Sequence, residues 1–209
     1  MTDDPGEGVA GTWGRDYREA WEPRFRRFFE AQRRVPMNVL LWGPGVGTDL
    51  YPKREQIGAS LGDDATSVAT SEALVGSHDE LSAMDDIFLA EEIQGEAADL
   101  VIALDVDDRS VIGVHAELIR FGTHPRIGPK IHLFTPRRPA TGSQARPLIL
   151  EAARQVSDAR KFEYTPDQYD DCQQIRAKAS AWVEAARREK FLADFRARGS
   201  VHLSPGPNS

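Results

Sequence analysis

Asp99-Leu100-Val101-Ile102-Ala103-Leu104-Asp105 sets five consecutive apolar residues between two acids. A strand with one face in water alternates apolar and polar residues. An unbroken run of this length instead reads as a central parallel strand buried on both faces. Upstream, Met37-Asn38-Val39-Leu40-Leu41-Trp42 is a second such run. It leads into the turn Gly43-Pro44-Gly45-Val46-Gly47 and a helix expected over 49–61, with Thr48 or Asp49 as its cap and Gly62 at its end. A weaker strand is expected over 67–73. Ser77-His78-Asp79-Glu80 has capping-box spacing and should open a helix over 78–97, with Leu81, Met84, Phe88 and, less regularly, Ile87 as its buried stripe.

Downstream of the central run, a helix is expected over 113–121. Lys130-Ile131-His132-Leu133-Phe134 reads as a strand ended by Pro136, and Pro147 is placed to open a helix reaching about Ala159. After a short extended piece over 161–164, Thr165-Pro166-Asp167-Gln168 should start a final helix to about Arg198. Its apolar face, Tyr169, Cys172, Ile175, Ala179, Trp182 and Ala186, is expected to close one side of the sheet. Strands alternating with helices imply an α/β fold: an open, mainly parallel sheet of flavodoxin-like (Rossmann-like) type flanked by helices. An N-terminal helix and a C-terminal helical extension flank it. The expected division is a tail over 1–16, the α/β domain with its N-terminal helix over 17–136, the helical extension over 137–198, and a tail over 199–209.

The chain has 209 residues, 40% of them hydrophobic and 28% charged, enough for one domain with a real core. No run reaches the length of a membrane span, and the acidic start Met1-Thr2-Asp3-Asp4 does not read as a signal peptide. Cys172 is the single cysteine, which excludes an internal disulfide or multi-cysteine zinc site and fits a reducing, cytoplasmic setting.

Net charge is −7, unevenly spread. Glu55 to Asp108 holds 15 acids and no Lys or Arg; Leu118 to Leu150 holds no acid but six bases, Arg120, Arg126, Lys130, Arg137, Arg138 and Arg146, with His124 and His132. The two stretches are either solvated faces of opposite sign or an acidic body whose basic part meets a phosphate-bearing ligand. The segment Tyr17 to Arg34 mixes arginines with Trp21, Phe25, Phe28 and Phe29 at helical spacing, which suits an amphipathic helix docked on its own domain or on a partner. Nucleic acid is the less favoured partner for so acidic a chain. Exposed apolar residues in the terminal helices would favour self-association.

In open parallel sheets, ligands bind beyond the carboxyl ends of the strands. Three segments arrive there: 42–47, 105–117 and 135–138. The glycine turn lacks the full dinucleotide fingerprint, and no Gly-Lys-Ser/Thr follows it, so a P-loop is excluded. It serves either as a tight strand-to-helix turn or as bare backbone that a ribose or phosphate approaches. Glu117 falls one turn into its helix. It is either a surface residue or a crevice-facing carboxylate held ionised by the helix N-terminus and able to act as a nucleophile. Asp105 and Asp107 either bind sugar hydroxyls or cap the strand end. No His, Asp or Glu group has metal-ligand spacing, so neither metal nor other cofactor is expected. No Gly-x-Ser-x-Gly elbow occurs, and Cys172 falls within a helix pattern.

Together these motifs resemble the nucleoside 2-deoxyribosyltransferase family. Leu41-Trp42-Gly43-Pro44 is similar to its first-strand "AGP" turn, and Ala98 to Asp105 to its "ADLVIALLD"-type strand. Gly113-Val114-His115-Ala116-Glu117-Leu118 resembles its Gly-Thr-x-x-Glu helix start, where the Glu is the nucleophile. The wider group includes nucleotide N-glycosidases and the TIR-like NAD-cleaving domains of bacterial antiviral defence. The resemblance covers about Met37 to Pro136. Where the family carries Asp two residues before the helix glycine, this sequence has Val111, with Ser110 and Asp108 beside it.

The resemblance implies cleavage of the N-glycosidic bond of a nucleoside, nucleotide or NAD-type molecule, by hydrolysis or transfer. Glu117 would attack the anomeric carbon, and Asp105 and Ser110 would orient the sugar. Trp42 would stack on base or sugar; Gly43, Pro44, Gly45 and Gly113 would line the substrate; Arg120, Arg137 and Arg138 would hold phosphate. The alternative is a non-catalytic nucleotide-sensing or interaction module of the same fold.

Overall fold

The computed structural model describes residues 10–70, 84–105, 112–137 and 156–197. In chain order the elements are α1 (Ala10–Arg33), β1 (Met37–Trp42), α2 (Tyr51–Leu61), β2 (Thr66–Thr70), α3 (Met84–Ala97), β3 (Leu100–Leu104), α4 (Ile112–Phe121), β4 (Ile131–Pro136), β5 (Lys161–Tyr164), α5 (Pro166–Asp171) and α6 (Gln173–Ala197). The residues form two compact units, Met1–Val35 with Lys190–Ser209, and Pro36–Glu189. The helix expected to open the α/β domain therefore groups with the C-terminal end of α6.

The larger unit is a five-stranded sheet of order β2-β1-β3-β4-β5, every pair parallel. This is an open parallel α/β sheet flanked by helices, as the alternating pattern implied. The two uninterrupted apolar runs occupy adjacent central positions: all five residues of β3 are buried, as are five of the six in β1. At the foot of this pair, Asp99 Oδ2 accepts the Asn38 N–H at 2.9 Å.

Several local expectations change. α1 starts at Ala10 rather than 17, because Gly11 and Gly14 disguise the helical continuation in sequence and Pro23 removes one ladder donor without ending the helix. α2 starts at Tyr51, its N-cap is Leu50 with no side-chain cap, and Thr48 Oγ1 donates instead to Gly45 O at 2.9 Å. Helix capping thus gives way to turn closure.

α3 keeps the phase of the expected stripe, whose spacing runs on from Phe88 to Glu91 and Gly95. Its inward residues include Glu91 and Gly95, with Ala98 buried just past its end, while Leu89 and Ile93 are exposed. A small residue is needed inside, since a Cβ on Gly95 would lie 3.0 Å from Ile127 Cδ1. Of the expected stripe, Phe88 is half-buried; the Ser77 capping box and Leu81 lie outside the described residues. Lys130 then closes the C-terminal end of α3, donating to the carbonyls of Glu96 (2.8 Å) and Ala98 (2.7 Å).

The C-terminal part is more than a helical extension. Residues 161–164 are β5, a fifth strand on β4. Residues 147–155 of the helix expected from Pro147 lie outside the described residues, and 158–160 form a 3-10 turn. The Thr165–Gln168 box does open a helix, with Thr165 N–H donating to Gln168 Oε1 at 2.8 Å. That helix stops at Cys172, which takes a left-handed φ of 55°, and α6 begins immediately after it. The break leaves the apolar face continuous: Tyr169, Cys172, Ile175, Ala179 and Trp182 are all buried, with Ala186 packed against the core.

Trp182 lies on the sheet, its ring centroid 4.6 Å from Phe134 and 4.8 Å from His132. Burial pushes the His132 ring below its ordinary pKa; the hydrogen bond to Lys130 O opposes this, and the charges of Arg160 and Lys178 add to it. The unfolded chain therefore binds the proton more readily. Stability should be complete above the ordinary value of 6.5 and fall as the pH drops below it. In melts at stepped pH, His132→Phe, which keeps a ring against Trp182, should flatten this decline. An unchanged pH profile in the variant would assign the decline to other groups.

Candidate active site

β1 and β3 are hydrogen-bonded neighbours, and their connections leave in opposite directions, β1 toward β2 and β3 toward β4. That reversal opens a crevice at their carboxyl ends. The Gly43 turn, Asp105 and α4 all meet there.

Register fixes which side each residue faces. Trp42 pairs with Ala103, so the two side chains share a face. It is the α4 face, because the Trp42 and Phe121 rings lie 5.8 Å apart. Phe121 is one helical turn beyond Glu117. Running back toward the N-terminus of α4, Glu117 comes one turn higher, level with the turn that begins at Gly43. Its side chain is buried, with 7% exposure. Glu117 is also the sixth residue of α4, beyond the first turn where the helix dipole acts, so the expected support from the helix N-terminus is small.

Asp105 follows β3 on the same side and is 4% exposed. Its N–H donates to Phe134 O (2.9 Å), its Oδ2 accepts from Thr135 Oγ1 (2.8 Å), and its carbonyl accepts from Tyr164 OH (2.5 Å). β4 and β5 thus hold the aspartate in place. Tyr164, 59 residues away in sequence, was invisible to local pattern reading.

Gly43 and Leu104 face the opposite side, where α2 packs. A Cβ on Gly43 would lie 2.7 Å from Arg54 Cδ and 3.4 Å from Leu104 Cβ. The buried Arg54 stem fills that space, with Nη1 donating to Gly43 O at 3.4 Å and the guanidinium 4.9 Å from the Tyr51 ring. Sequence reading missed Arg54; its only signal was a base in the first turn of a helix at the crevice. Gly43→Ala should cost about 1–3 kcal/mol, because a buried arginine has nowhere to swing. The denaturant midpoint measures it, and a wild-type midpoint would show that the turn yields freely.

The glycine turn closes as a type II β-turn: Thr48 N–H donates to Gly45 O at 3.2 Å and Gly47 has φ 88°. Val46 stands at its tip, 68% exposed, an apolar side chain at the crevice mouth. Pro44 is buried, and Gly43 and Gly45 are half-buried.

Other expected site residues are placed differently. The Trp42 ring is fully buried against Phe121, so it belongs to the core and has no exposed face for a base to stack on. The Arg120 guanidinium lies 4.7 Å from the Phe88 ring, on the flank between α3 and α4. Arg137 does stand at the end of β4, its N–H donating to Tyr164 O and its Nε 3.9 Å from Glu163 Oε2. Gly113 is in the first turn of α4; Ser110, Arg138, Asp107 and Asp108 lie outside the described residues.

The basic stretch is therefore partly spent away from the crevice. Arg126 pairs with Glu96 at 3.3 Å, and Lys130 caps α3. Folding also assembles Glu92, Glu96 and His124, whose ligand atoms lie within 4.8 Å of one another. Two backbone N–H groups, of Arg126 and Ile127, point at His124 Nδ1 (3.4 and 3.3 Å). The ring proton then sits on Nε2, facing Glu92 Oε1 at 3.5 Å. The ring thus faces Glu92, while the Arg126 guanidinium supplies the charge paired with Glu96. No described helix is long and apolar enough to cross a membrane.

No protein-family model and no curated protein matches the chain. Among solved structures it is similar to a 2-deoxyribosyltransferase from the psychrotolerant bacterium Bacillus psychrosaccharolyticus: 18% identity, TM-score 0.43, covering 65% of this chain and 90% of that one. It is also similar to a conserved protein from Enterococcus faecalis V583: 15% identity, TM-score 0.42, covering 72% of this chain and 99% of that one.

Proposed function

We propose that the chain cleaves the N-glycosidic bond of a nucleoside, nucleotide or NAD-type molecule, with Glu117 as its nucleophile. The observation that carries this reading is the burial of two carboxylates, Glu117 on α4 and Asp105 at the end of β3, on the helix and strand that lead to the expected crevice. The motif resemblance names the same two residues for this chemistry. The Glu117 carboxylate attacks the anomeric carbon as the carbon–nitrogen bond breaks; the base leaves with the bonding electrons, a neutral nucleobase taking up a proton and the cationic nicotinamide of NAD departing neutral without one. Water then hydrolyses the glycosyl ester, releasing the sugar and restoring the carboxylate. Asp105, held by Thr135 and Tyr164, orients the sugar through its carboxylate. The Gly43–Gly47 backbone admits the substrate, Val46 offers an apolar contact, and Arg137 lies where a phosphate would emerge.

The test is chromatography of NAD, NADP and ribo- and deoxynucleoside monophosphates after incubation with wild type and Glu117→Gln. Release of one free base by wild type alone supports the reading and names the substrate class. Tight binding without release, unchanged in Glu117→Gln, would instead assign the crevice to nucleotide sensing.

A further inference from the structure

Three neighbouring strands end in one row of polar side chains. Thr135 Oγ1 donates to Asp105 Oδ2 at 2.8 Å, and Thr135 is the register partner of Glu163 on β5. Register partners in a parallel sheet point to the same side. Asp105, Thr135 and Glu163 therefore share a face. It is opposite the one where Phe134 and Phe162 pack together and Phe134 meets Trp182 of α6. Arg137 follows Thr135 by two residues, and its N–H donates to Tyr164 O at 2.6 Å. The ladder thus runs on past β4 and returns Arg137 to the Asp105 side. There its Nε meets Glu163 Oε2 at 3.9 Å. Two residues of extended chain advance about 6.6 Å, so Arg137 stands that much farther out along the face than the Asp105–Thr135 pair.

The ion pair is loose. Its separation is at the outer limit for such a contact, its side chains are 66% and 62% exposed, and a pair so hydrated holds its partners weakly. A phosphate carries more charge and accepts from a guanidinium through two oxygens at once, so it competes well for Arg137. We propose that Glu163 is a specificity-determining residue: it occupies Arg137 in the free protein and yields it to the 5′-phosphate of a nucleotide substrate. The proposal rests on the glycosidase reading for the sugar itself. With Asp105 orienting the ring hydroxyls, O5 is the oxygen left to carry a phosphate, and Arg137 stands on the same face. Glu163 acts on that phosphate twice. It holds the guanidinium that the phosphate needs, and its own charge repels an anion arriving beside it. Both effects weaken phosphorylated ligands and leave uncharged sugars alone, so Arg137 sets the preference for phosphate and Glu163 sets its size.

Calorimetric titration of the full chain with ribose, 2-deoxyribose and their 5-phosphates tests this, because the ligands of each pair differ only in the phosphate and need neither a base nor turnover. Wild type should bind the better sugar phosphate at least about tenfold more tightly than its parent sugar. Glu163→Gln should tighten that phosphate about 3–5-fold and leave the parent sugar unchanged. Arg137→Gln should erase the difference between the two ligands. In the double variant the gain from Glu163→Gln should shrink, since the two residues act on the phosphate together. Both positions are exposed, so melting temperatures should match wild type. Unchanged sugar-phosphate affinity in Glu163→Gln, an undiminished phosphate preference in Arg137→Gln, or no binding of either sugar phosphate by wild type and Glu163→Gln alike would overturn the proposal. Base release plays no part in these titrations, so this proposal and the Glu117 reading fail separately.

Discussion

Glu117→Gln should lower base release at least about a thousandfold while leaving the melting temperature near wild type. The amide matches the carboxylate in shape, so the packing beside Phe121 survives. It carries no negative charge to attack the anomeric carbon or to stabilise its cationic transition state. Asp105→Asn should be milder, on the order of 10–100-fold, because the amide oxygen still accepts from Thr135 while one sugar contact weakens. The ordering matters as much as the size. If Asp105→Asn were the more damaging change, the nucleophile would have to be reassigned; a fully active Glu117→Gln would end the glycosidase reading.

Trp182→Ala should be the most destabilising change in the larger unit, at about 3–5 kcal/mol. The indole is 5% exposed and lies between Phe134 and His132, with Lys178 Nζ 5.4 Å from its ring. Its removal leaves a cavity between α6 and the sheet that these side chains cannot fill. For a chain of this size the melting temperature should fall on the order of 10 °C. The variant should also lose part of the acid sensitivity assigned to His132, whose ring would be more hydrated. A loss below about 1 kcal/mol would mean that α6 does not close the sheet through this residue.

Legibility followed the range of the interactions. β1 and β3 declared themselves because burial on both faces requires uninterrupted apolar runs, and the crevice followed from where such strands end. The start of α5 was equally readable, since Thr165 and Gln168 satisfy each other within one turn. Glu117 and Asp105 were identified as candidates, but what holds Asp105 comes from β4 and β5. Trp42 was misread as a stacking platform because an aromatic residue at a strand end looks alike whether it faces ligand or core.

The sequence by itself determined the central strands and their parallel α/β arrangement, and it nominated Glu117 and Asp105 as candidates, because periodicity and strand-end position are local properties. Tertiary structure decided the rest. It placed β5 on the sheet and buried Trp42 against Phe121. It drew Arg120, Arg126 and Lys130 onto α3 and its flank, and set the Arg54 stem in the space left by Gly43. Each of these depends on which side chain meets which across long sequence separations, and no local pattern encodes that.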